Sequence, residues 1–139
     1  MFLPGLIFFL TGHVFYVIAF FNLSSLNSGT LMGAMIFILI SGGVYIRLMP
    51  YLGSMKRSVL AYVVIITFMV SGASTVLGDS LQPLNARLLV FSGALFFYLS
   101  DVFVARNRFI KKEAFNRIVG LPLYYAGQFL LAFSIGFVQ

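Results

Sequence analysis

The chain has 139 residues, of which 61% are hydrophobic and 9% charged. A soluble domain carries about 25% charged residues, so this composition cannot cover a globular surface in water, and lipid must solvate most of it. With no cysteine, disulfides and thiolate chemistry are excluded. The formal charge of +6 reads as a topology signal and an attraction to anionic headgroups, ahead of nucleic-acid binding.

The expected fold is all-α, a polytopic transmembrane helical bundle of about five spans forming one domain over 1–139. Crossing about 30 Å of hydrocarbon takes about 20 helical residues. Five apolar stretches meet or approach that length: 2–21, 31–48, 59–77, 88–105 and 118–138. They are continuously apolar rather than alternating, which argues against β-barrel strands. The first has no basic leader and is too long for a signal h-region, so it reads as a true span.

The connectors carry turn chemistry. Asn22 to Gly29 is polar and uncharged; Pro50, Gly53 and Ser54 break the second; Gly78 to Asn85 forms the third; Arg106 to Arg117 is the most charged. Basic residues alternate between them. Arg47, Lys56 and Arg57 flank the second connector, Arg106, Arg108, Lys111, Lys112 and Arg117 the fourth, and Arg87 alone the third. The positive-inside rule then puts the second and fourth connectors and the N-terminus in the cytoplasm. A bacterial cytoplasmic membrane is the expected location. Gly29 and Gly33 form a GxxxG pair, and Ser71 to Ser74 is a run of small residues; both favour close helix approach.

Ionisable groups inside spans cost about 2.5–3.5 kcal/mol each and tend to be functional. His13 and Asp101 are the two here, accompanied by Tyr16, Tyr62, Tyr98, Tyr124, Tyr125 and Gln128. Asp101 lies five residues before Arg106, roughly 7 Å inside the boundary. Tyr62 sits at a similar depth, and His13 lies near the midplane. Helical spacing sets Tyr98 beside Asp101, Tyr16 beside His13 and Gln128 beside Tyr124. One polar cavity open to the cytoplasmic leaflet accounts for all of them. The blander readings are also open: a tyrosine near a helix end is commonly an interface anchor, a lone His or Gln can be interhelical glue, and Asp101 could pair with Arg106. One His, three acids and no Cys offer no metal spacing, and no phosphate-binding glycine loop occurs.

Four segments in order resemble the YhhN-like membrane family. Gly5 to Tyr16 (GLIFFLTGHVFY) is similar to its "GL-x-x-F-x-x-GH-x-x-Y" segment. Gly93 to Asp101 (GALFFYLSD) is similar to its "GA-x-x-F-x-x-SD", with Arg108-Phe109 following as "RF". Leu123 to Gln128 (LYYAGQ) is similar to its closing "Y-x-x-A/G-Q" helix, and Ala61-Tyr62 fits the helix between. The family includes lysoplasmalogenases, which hydrolyse the vinyl ether of a lysoplasmalogen to a fatty aldehyde and a glycerophospho-base. The resemblance therefore implies a lysophospholipid substrate in the bilayer and acid–base chemistry with no cofactor. It implies Asp101 as the catalytic acid, His13, Tyr16, Tyr62, Tyr98, Tyr124 and Gln128 around the substrate, and Arg106 and Arg108 near its phosphate. Family members are longer, with about three further spans before this region, one carrying an intramembrane Gly-Asp. Gly78-Asp79 sits in a loop and is no counterpart. The chain is thus expected to be N-terminally truncated relative to the family and its product incomplete or inactive. A small transporter relaying protons through His13 and Asp101, or a non-catalytic helical subunit, are the competing expectations.

Overall fold

In a computed structural model, which describes residues 2–138, the described residues form five α-helices and no strand. They are α1 (Phe2–Leu23), α2 (Ser28–Leu48), α3 (Lys56–Gly78), α4 (Leu84–Ala105) and α5 (Ala114–Ser134). Two 3₁₀ turns, Met49–Tyr51 and Gly53–Met55, join α2 to α3, and one turn of π-helix, Arg106–Ile110, extends α4. Pro50 opens the first 3₁₀ turn, and Gly53 takes a left-handed φ of 55°, so the expected breakers make the turn.

Helices α1 to α4 are long and apolar enough to cross a membrane. At 21 residues, α5 is about 31 Å long, but Asn116, Arg117, Tyr124, Tyr125 and Gln128 dilute its hydropathy. It also lies one turn earlier than the expected 118–138 stretch. Apolar side chains such as Phe8, Leu39 and Phe133 point outward, as they do where lipid replaces water.

The bundle is built around α3, which packs against α1, α2 and α4, while α5 packs along α4. Met69, Val70, Ala73 and Val76 on α3 are fully buried. Close approach is made by small residues. On α2, Gly33 lies so near the Ser74 side chain that any Cβ would collide with it. Across α4 and α5, a Cβ on Gly127 would lie 2.9 Å from the Gly93 carbonyl oxygen. The glycine pair of α2 therefore meets the small-residue run of α3, as van der Waals packing in lipid favours.

At one end, Asn27 caps α2. Its side chain accepts from the Gly29 and Thr30 amides and donates to the Thr75 carbonyl (2.9 Å). At the other end lie the starts of α1, α3 and α5 and the ends of α2 and α4, with most of the basic residues.

Candidate active site

Asp101, one turn before the end of α4, is 1% exposed, and His13 on α1 is 3% exposed. His13 Nε2 lies 3.0 Å from Asp101 Oδ2. His13 Nδ1 lies 2.9 Å from the Phe9 carbonyl oxygen. A carbonyl only accepts, so Nδ1 must carry a proton and donate it. Nε2 and Oδ2 then hold one further proton between them: either the carboxyl donates to a neutral imidazole, or an imidazolium donates to a carboxylate. Net charge is zero in both arrangements, which suits a site surrounded by lipid.

The pair sits among aromatic rings. Phe9, Phe97 and Tyr62 stand 4.8, 5.8 and 6.0 Å from the imidazole, centroid to centroid. The Tyr62 hydroxyl is turned toward the Asp101 carboxyl. Asp101 Oδ1 is buried and meets no hydrogen-bond partner of good geometry.

A cavity of about 740 Å³ opens between the first turns of α1 and α3 and the α4–α5 pair. Its floor includes Tyr62, Ser100, Asp101 and Tyr124, and its mouth includes Arg108, Lys111, Lys112 and Arg117. The π-turn shapes the mouth, with the Lys111 amide donating to the Arg106 carbonyl (3.0 Å); such turns are frequent where function needs a displaced helix end. Lys111 Nζ bonds Glu113 Oε1 at 2.8 Å, and Arg106 reaches Glu113 Oε2 at 3.5 Å. The bond from Lys111 holds the Glu113 carboxyl below its ordinary range.

The expected site residues divide into two groups. Asp101, Tyr62, Tyr124 and Arg108 line the cavity, and His13 stands behind Asp101. Gln128 donates to the Tyr124 hydroxyl (2.9 Å) from the exposed side of α5. Tyr16 stacks on Phe20 and meets Phe97, outside the cavity lining. Tyr98 turns away from Asp101. Its hydroxyl lies 2.6 Å from Ser41 Oγ on α2, which in turn lies 2.7 Å from Thr67 Oγ1 on α3. Arg106 engages Glu113 rather than Asp101.

Lys111, Lys112 and Arg117, which are orientation signals in the sequence, also line the cavity, as does Asn116, which no motif marks. The rule that intramembrane ionisable groups pair with one another is the signal that joins His13 to Asp101.

The YhhN family pattern matches residues 1–135. The chain belongs to the YhhN family. This YhhN protein is 36% identical over 138 residues to a human protein, lysoplasmalogenase TMEM86A, and 34% identical over 138 residues to its Bos taurus counterpart. Each alignment covers 96% of this chain and 55% of the relative, so the chain spans about half the length of the curated relatives it matches. No solved structure matches it. With four helices able to cross a bilayer, this member of the family is an integral, multi-pass membrane protein.

Proposed function

We propose that the chain carries the acid-bearing site of a lysoplasmalogenase-type hydrolase, cleaving the vinyl ether of a lysophospholipid to a fatty aldehyde and a glycerophospho-base. The observation that carries this reading is a buried carboxyl, Asp101, at the floor of a cavity whose mouth is basic. A single-chain phospholipid has matching chemistry: an anionic phosphate at the interface and an acid-labile ether a few ångströms deeper. The relatives' name points to the same bond.

In the mechanism, the proton shared by Asp101 and His13 passes from Asp101 to the alkene carbon remote from oxygen. The new C–H bond uses the alkene electron pair and leaves an oxocarbenium ion. Asp101 is now a carboxylate beside that cation, so the site stays neutral overall, and charge stabilisation in a water-poor site is strong. Water adds to the oxocarbenium carbon, and its proton returns to Asp101. The resulting hemiacetal breaks its C–O bond, releasing aldehyde and the glycerol hydroxyl. One proton leaves the pair and one comes back, and water supplies the oxygen. Asp79 and Glu113, the other two acids of this sequence, lie outside the cavity lining.

The basic mouth would face the cytoplasm under the positive-inside rule, with α1 entering from that side and α5 crossing as a fifth span. Purified protein in vesicles of lysoplasmalogen should release fatty aldehyde, and Asp101→Asn should not. Undiminished release by Asp101→Asn would overturn the assignment. Proton flux without any aldehyde would favour a relay through His13 and Asp101 instead.

A further inference from the structure

Asn116 is the third residue of α5, is 2% exposed, and lines the cavity between its floor and its mouth. Its Nδ2 donates to the Lys111 carbonyl oxygen at 2.9 Å. Because that partner can only accept, the amide cannot be flipped, and the other atom must be the oxygen. That atom, Oδ1, is buried without a hydrogen-bond partner. A buried amide oxygen without a donor costs about as much as a lost hydrogen bond, and a donor from a bound molecule would recover it.

Its depth can be read from the helix contacts. A Cβ on Gly120 would lie 3.3 Å from Phe103 Cβ and 4.0 Å from the Ser100 carbonyl, so Gly120 is level with Asp101. Asn116 is four residues nearer the mouth, or about 6 Å. Beyond it stand Arg108, Lys111 and Lys112, which precede α5 in the chain. Going outward, the cavity thus presents an acid, then a neutral acceptor, then cations.

We infer that Asn116 Oδ1 accepts a hydrogen bond from the free sn-2 hydroxyl of a single-chain glycerophospholipid and so selects lyso lipids over sn-2-acylated ones. This rests on the reading of Asp101 as the acid at the vinyl ether. In such a lipid the order outward is alkenyl carbon, sn-2 hydroxyl, phosphate. The alkenyl carbon protonated by Asp101 and the sn-2 oxygen are five bonds apart, about 6 Å when extended, which equals the rise from Asp101 to Asn116. An sn-2 ester has no proton to donate and leaves Oδ1 unpaired. A site built to bond a hydroxyl rejects analogues lacking it strongly.

The test uses binding, so that it does not depend on turnover. Three saturated 1-O-alkyl glycerophosphoethanolamines, which lack the alkene that is protonated, differ only at sn-2: hydroxyl, hydrogen or methoxy. Wild-type protein should bind the hydroxyl form about tenfold more tightly than either other form. Asn116→Leu, similar in volume without the acceptor, should bind all three alike. Asn116→Asp keeps an acceptor in place of Oδ1 while exchanging the amide donor for a carboxyl oxygen, and it should keep the preference. Affinity ratios within one variant are insensitive to a fraction of unfolded protein. Equal binding by the wild type, a preference retained in Asn116→Leu, or one lost in Asn116→Asp would each overturn the inference. Absence of aldehyde release by the wild type, with the hydroxyl preference intact, would instead count against the hydrolase reading alone.

Discussion

His13 and Asp101 are 88 residues apart in the chain and 3.0 Å apart in the fold. The contact ties α1 to α4 across the aromatic filling of the bundle. It also fixes which carboxyl oxygen the imidazole engages and which faces away from it.

Asp101→Asn should therefore fold and fail to turn over. An asparagine amide can still donate to His13 Nε2, so thermal unfolding in detergent should shift by only a few degrees. Aldehyde release should fall at least ~10²-fold, the usual size of a general acid–base contribution. His13→Ala leaves the carboxyl without its partner and should cost about 1–3 kcal/mol of stability as well as activity.

Tyr98→Phe should leave turnover unchanged. The hydroxyl it removes bonds Ser41 rather than Asp101, so the loss is about 1 kcal/mol of stability. A fall in aldehyde release comparable with that of Asp101→Asn would place Tyr98 in the chemistry after all.

Charge reversal at the mouth should act on binding. Lys112→Glu and Arg117→Glu should raise KM several-fold with kcat nearly constant, and added salt should narrow the difference, because exposed charges are screened. Initial-rate series at two ionic strengths check this.

Gly33→Leu should separate α2 from α3. The new side chain has no room against Ser74, and overpacking costs typically ~1–3 kcal/mol. A lowered unfolding temperature, with intact protein still inserted in membranes, is the expected result.

Glu113 gives the fourth connector a pH dependence. Its carboxyl is held below the ordinary range by the bond from Lys111. A depressed carboxylate contributes stability that is present above its unfolded pKa and lost as pH falls through the folded value. Comparing unfolding of wild type and Glu113→Gln, the two should converge in acid and differ slightly at neutral pH, the pair being partly exposed.

The five helices, and the C-terminal ends of α2, α3 and α4 to within a residue, were legible from the chain itself. Hydropathy over about 20 residues is a local property, and in lipid a helix satisfies its own backbone without a partner. Pro50, Gly53 and the polar Asn22 to Gly29 segment marked turns for equally local reasons, and Gly29 with Gly33 marked a close contact without naming its partner. The identity of the polar residues within the spans, and their rough depth, came from the same reading.

Rotation and partner choice were beyond it. Residues advance about 100° around a helix, so Tyr98 and Asp101, three apart, differ by roughly 60°. That is enough to turn Tyr98 to Ser41 and Asp101 to His13. The basic residues of the fourth connector could be counted from the chain, but only the π-turn and the packing of α5 on α4 bring four of them to the rim of one cavity. The sequence alone determined a lipid-embedded helical chain with one carboxyl inside it, because burial in a membrane is decided segment by segment. Only the tertiary structure decided that this carboxyl meets a histidine and faces a cavity, because such contacts depend on how separate helices are turned toward one another.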